Sequence, residues 1–162
     1  MSPLAATSSF HGAPPAGGGR VTWALDLAQR RVPVDASRPV RWVAIGGVVL
    51  GAIAVAASAI IHLHLWMQGY KHIHWIGPLF LAQAIAGIGL ALVMVVYPRL
   101  VSAVAGGLYM ASTIGGLLMS ATVGIFGFHD GLSVPWATSS LVIEAAGLVV
   151  LVAAGAAFFA RH

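Results

Sequence analysis

Four stretches of this chain are each long and apolar enough to cross a lipid bilayer, and that leaves few folds open to it. A helix rises about 1.5 Å per residue, so about 20 apolar residues span the hydrocarbon core. The runs 42–68, 78–97, 100–126 and 137–160 each meet that length. Backbone N–H and C=O groups have no water to bond inside lipid, so each run reads as a helix that satisfies its own backbone. Only Pro98 and Arg99 separate the second run from the third, which makes those two helices antiparallel neighbours. The expectation is an all-α, four-transmembrane-helix up-down bundle over residues 41–162, preceded by a tail over residues 1–40.

Composition agrees. The chain is 59% hydrophobic and 7% charged, with a mean hydropathy of +0.94. Soluble domains carry about 25% charged residues, so this chain could not cover a water-facing surface. Cysteine is absent. That excludes disulfides, thiolate metal sites, iron–sulfur clusters and covalently attached c-type haem. Seven arginines against one lysine, among many Ala, Gly and Val, suggest a high-GC bacterial genome. No basic stripe with interleaved aromatics exists, so no nucleic-acid partner is expected.

The few charges carry orientation. Arg20, Arg30, Arg31, Arg38 and Arg41 precede the first run, Arg99 lies in the second connection and Arg161 near the C-terminus. With four spans these all fall on one side, and Lys71 alone falls on the other. The positive-inside rule then predicts cytoplasmic N- and C-termini in a bacterial inner membrane. In the tail, Ala13 to Gly19 is low-complexity and reads as disordered. Val21 to Arg31 reads either as an amphipathic helix on the membrane, touching it through Trp23, Leu25 and Leu27, or as a frayed tail. No apolar segment lies near Met1, so a cleaved signal peptide is not expected. Small residues mark packing faces: Gly47 with Gly51, and Gly107 with Ala111 and Gly115. Such ridges let helices approach closely in lipid, within the chain or against a partner.

The polar residues are distributed unevenly. Counting about 20 residues from each arginine-marked edge reaches one level in all four runs. His62, Gln83, Ser120 and Glu144 fall in that layer, with His64 and Thr122 just above it. The outer connections add Lys71, His72, His74, His129 and Asp130. A carboxylate within hydrocarbon costs at least about 2–3 kcal/mol, so Glu144 should face the bundle and either have a partner or be protonated. His62 is the nearest titratable group by depth, with Gln83 and Ser120 as neutral donors. Two readings stand: an acid–imidazole pair that handles a cation or a proton, and a polar clasp that fixes helix register. Tilt that lifts Glu144 among the headgroups is a third.

Four of the seven histidines fall in His62-Leu63-His64 and His72-Ile73-His74. Helical residues two apart point about 200° apart, so His62 and His64 cannot share one ion on a regular helix. His72 and His74 point the same way only if their connection is extended. A metal site would draw on His62 or His64, on His72 or His74, and on His129, Asp130 or Glu144. That donor chemistry suits Zn, Cu(II), Ni or Fe(II), with a Zn or Cu ion favoured. The competing reading is an interfacial belt of His, Trp66, Tyr70, Lys71 and Trp75. Haem is not expected, because the second to fourth runs contain no histidine. A haem would have to sit at the rim, on His62 or His64 with His129 or a loop histidine, and Met67 or Met119 as a weak axial ligand.

No Walker loop, GxGxxG turn, HExxH or nucleophile elbow is present, so hydrolytic and nucleotide chemistry lack a motif. The stretch IHLHLWMQGYKHIHWIGPLFLAQAIAGIGLALVMVVYPR, from Ile61 to Arg99, and GIFGFHDG, from Gly124 to Gly131, resemble small four-helix membrane proteins of high-GC Gram-positive bacteria. The resemblance covers residues 42–160 and implies fold and membrane location, without an activity. The leading expectation is an accessory or binding subunit of the envelope with a histidine-rich outward face. Its partners would be the bilayer and other membrane-complex subunits or further copies of the chain. The alternatives are a divalent-metal or proton-handling module on His62 and Glu144, and a membrane enzyme with metal or haem at the rim.

Overall fold

The computed structural model describes residues 19–129 and 136–160. Among these residues the secondary structure is helical: α1 (Gly19–Ala28), α2 (Arg38–Met67), α3 (Ile76–Val96), α4 (Leu100–Thr122) and α5 (Ala137–Ala157). Helices α2 to α5 are each long and apolar enough to cross a membrane. Among the described residues one β-bridge, Ile125 with Phe128, closes a turn after α4.

The helix ends follow local chemistry. Pro39 sits in the first turn of α2, where its missing N–H costs nothing. A π-helical turn, Trp42–Gly46, then leads into the regular helix. Helix α3 stops before Pro98, which disfavours helical backbone in the residue ahead of it. Ser102 fastens the start of α4: its Oγ accepts the Arg99 N–H at 2.9 Å and donates to the Tyr97 carbonyl. The expected 100–126 helix is four residues too long. The chain leaves α4 at Thr122 and passes through Gly124, Phe126 and Gly127, all at positive φ. A left-handed backbone cannot continue a right-handed helix.

Contacts give the directions. Along α2 and α5, Gly47 meets Ala154, Gly51 meets Leu151, Ala54 meets Gly147, and Ser58 meets Glu144. The numbers rise on one helix as they fall on the other, so the pair is antiparallel. The same crossing order holds for α2 with α3 (Ala59 with Gly87, His62 with Phe80), for α3 with α4 (Gln83 with Tyr109, Met94 with Gly106) and for α4 with α5 (Gly106 with Leu151, Met110 with Gly147). The bundle is therefore up-down, as the short connections predict. The Gly47/Gly51 ridge packs within the chain, against α5. The Gly107/Gly115 ridge does not: an added Cβ would touch only Leu148 at 3.8 Å from Gly107, and nothing within 4 Å from Gly115.

Packing is uneven around the bundle. Helix α2 lies closely along α3 and α5, and α4 along α5, whereas α3 and α4 touch over much less of their length. The core of Val48, Val55, Met94, Met110, Leu151 and Phe158 fills the arginine-bearing half. The tail helix folds back over that end. Leu27 and Val32 pack against the core, the Arg30 carbonyl accepts the Leu100 N–H at 3.2 Å, and the Arg30 guanidinium lies 4.7 Å from the Phe159 ring centre. Trp23 and Leu25 stay exposed, so of the three apolar residues expected to touch lipid, Leu27 turns inward. Ile53, Ile60, Ile85, Leu92, Leu108 and Val149 point outward from the four long helices, which is the surface a bilayer requires.

Candidate functional site

The loose seam between α3 and α4 widens at the histidine-bearing end into a cavity of about 230 Å³. All four long helices line it, and so do Tyr70 and Phe128 from the two connections at that end. His62, Gln83, Ser120 and Glu144, the four residues placed in one layer by counting from the arginines, all line this cavity.

Glu144 is the central group. It is 1% exposed, on the face of α5 that meets α2. Its Oε1 accepts two hydroxyl hydrogen bonds, from Ser58 at 2.7 Å and from Ser140 at 2.8 Å. Ser140 is one turn earlier on the same helix, and Ser58 reaches across from α2. Neither bond uses Oε2. Ser58 also neighbours the phenol of Tyr109, which donates to the Gln83 carbonyl at 3.1 Å. A polar chain thus crosses the bundle through Glu144, Ser58, Tyr109 and the Gln83 main chain, touching α5, α2, α4 and α3 in turn.

His62 was the expected partner of Glu144, and it stands in the same cavity in a different role. Its Nδ1 lies 2.9 Å from the Ser58 carbonyl oxygen. A carbonyl only accepts, so Nδ1 is the donor of this bond. The ring packs on Phe80 with centres 5.2 Å apart. Tyr70 also stacks on Phe80, with centres 4.7 Å apart, and meets Phe128 at 5.8 Å. The mouth of the cavity is thus a cluster of aromatic rings, and its floor is a carboxyl group with two serine donors.

The other described histidines lie elsewhere. His64 points away from His62, as the 200° separation requires, and meets Trp136 edge-on at 5.5 Å. His74 meets Trp75 in the same manner at 5.0 Å. Lys71 sits 6.0 Å from the Trp66 ring centre. These contacts are what an interfacial belt produces. Residues Tyr70–His72 form a 3-10 turn, not an extended strand, and His72 and His74 border a shallow surface depression with Lys71, Trp75 and Pro78. His129 is exposed, its ring against the backbone of Gly124. Thr122 is exposed and bonds back to the Leu118 carbonyl of its own helix at 2.7 Å. Asp130 lies outside the described residues. Among the described residues no three His, Asp or Glu side chains come together as ligands for one metal ion.

Ser58, Ser140 and Tyr109 were not foreseen at the site. The register of the small residues contained the signal for Ser58. Once Gly47 is set against Ala154 and Gly51 against Leu151, the next two rungs bring Ser58 opposite Glu144. Comparison with protein-family models, with curated proteins and with solved structures found no match to this chain.

Proposed function

We propose that this chain is a membrane-embedded binding protein that takes a small molecule into the cavity above Glu144. The observation that carries the reading is a buried carboxyl at the floor of an aromatic-mouthed cavity shared by all four long helices. A group held only to fix helix register needs no space beside it. Ligand pockets usually run to about 300–1,000 Å³, so a cavity of about 230 Å³ fits one ring or a short chain. Gly116 lines the cavity, and a Cβ built there meets nothing within 4 Å. Gly116→Phe should therefore fill the cavity without displacing a neighbour. A panel of small amphiphiles should contain members that raise the melting temperature of the parent protein and leave Gly116→Phe unmoved. Equal shifts in both proteins would remove the cavity from the account.

The same reading sets the protein in a bacterial inner membrane, arginine-bearing end in the cytoplasm and cavity mouth outward, as an accessory or binding subunit. The positive charges support that orientation, and the resemblance to small membrane proteins of high-GC Gram-positive bacteria supports the source. The lack of cysteine makes the check direct. A single cysteine at His74 should react with an impermeant maleimide added to intact cells. One at Arg99 should react only after permeabilisation. The reverse pattern would invert the topology.

One observation favours a second reading, a proton-handling pair. His62 donates its Nδ1–H to the Ser58 carbonyl and lines the same cavity as Glu144, so an imidazole and a carboxyl group share one space. Under this reading proteoliposomes of the parent protein take up protons, seen with an entrapped pH dye, and His62→Gln vesicles do not.

A further inference from the structure

The chemistry of the cavity narrows its ligand. Among the residues that line it there is one acid, Glu144, and neither Lys nor Arg. The other titratable groups facing Glu144 are His62 from α2 and Tyr109 from α4, with Tyr70 at the mouth. His62 spends its Nδ1–H on a main-chain carbonyl, and Tyr109 donates to another. Two serine hydroxyls hold Oε1, and Oε2 takes part in neither bond. A carboxylate in a water-poor cavity is stabilised most by a cation brought into contact with it. Above it, the clustered rings of Tyr70, Phe80 and Phe128 line the cavity. Such rings attract a cation electrostatically and pack against an apolar body.

We propose that the cavity binds a small organic cation, an ammonium group on an apolar body, with the charge against Glu144 and the body against Tyr70, Phe80 and Phe128. This rests on the small-molecule reading above and names its ligand class. An anion would meet the carboxylate with like charge. A neutral molecule of the same shape would fill the space and leave Glu144 with its serines alone.

The test uses the full chain in nanodiscs of zwitterionic lipid, titrated calorimetrically against blank discs. The probes are benzylammonium, benzyl alcohol and benzoate, which share a ring and differ in charge. The expected result is benzylammonium bound at least tenfold more tightly than benzyl alcohol, with benzoate weakest. Glu144→Gln keeps an oxygen for the two serines and removes the charge. It should bring the cation down to the affinity of the alcohol and leave the alcohol within twofold. Phe80→Leu, which keeps an apolar side chain but loses the ring, should weaken the cation severalfold. The comparison of probes on the parent protein stands even if a variant fails to fold. Equal binding of cation and alcohol, or a preference for benzoate, would overturn the cation assignment and leave a small-molecule site standing. If none of the three probes binds, both the assignment and the site reading fall for ligands of this size.

Discussion

Gly51→Leu should cost this protein more stability than any other single substitution along the α2–α5 seam. A Cβ on Gly51 would occupy the space of the Leu151 side chain, which is itself 2% exposed and held among Val48, Met94 and Met110. Leu151 cannot swing out, because the core surrounds it. The helices must separate, and the cost spreads to the rungs on either side: Gly47 with Ala154, Ala54 with Gly147, and Ser58 with Glu144. Overpacking a tight core costs about 1–3 kcal/mol and sometimes more. In lipid the loss is not softened by a hydrophobic drive to reassociate, since dispersion between close backbones holds the pair. We expect a melting temperature lower by about 5–10 °C, taking about 2–4 °C per kcal/mol for a chain of this size. Gly89→Ala is the control, because a Cβ there meets nothing within 4 Å, and it should change little. Tryptophan fluorescence melts of both variants in one detergent would check this. A Gly51→Leu protein that melts with the parent would mean that α2 and α5 do not pack as described.

The same seam shows what was legible in the sequence. Run lengths set four spans, the brief Pro98-Arg99 connection set direction, and the GxxxG on α2 marked a close contact. Each of these is a local property, carried by neighbouring residues. Depth was legible too, because a fixed rise per residue turns position in a run into height in the bundle. That is why His62, Gln83, Ser120 and Glu144 line one cavity. Which side chain meets which depends on rotation about each helix axis, and no run carries that by itself. His62 has the right depth but sits a turn above Ser58, and the α2–α5 register turns Ser58 toward Glu144. Nor does a sequence show that α3 and α4, though joined by the shortest connection, diverge at the far end. That divergence comes from what fills the seam. Met94 packs it near the arginines and Tyr109 at mid-depth, whereas Ser112, Gly116 and Ser120 on α4 are too small to close it near the histidines.

Glu144→Leu should leave the melting temperature unchanged or raise it, while abolishing cation binding. The acid sits 1% exposed in a helix that crosses hydrocarbon, where a charge costs at least about 2–3 kcal/mol. Its removal strands no neighbour. Ser58 and Ser140 can turn their hydroxyls to carbonyls of their own helices, as Ser112, Thr113 and Thr122 do at 2.7–2.8 Å. Leucine also has the open cavity in which to lie. Replacing a buried polar cluster by apolar side chains is often neutral or stabilising, whereas removing one partner from it is costly. Ser58→Ala should therefore do the opposite. It leaves Glu144 buried with one hydroxyl donor on Oε1, a loss of about 1–3 kcal/mol. Ser58→Ala in the Glu144→Leu background should cost almost nothing. That non-additivity is the signature of a direct pair. Thermal melts of the two single variants and the double close the cycle. If Glu144→Leu instead melts more than about 5 °C below the parent, the carboxyl is a clasp between α2 and α5. If it does not, the protein keeps a costly acid at that depth for what the acid can bind.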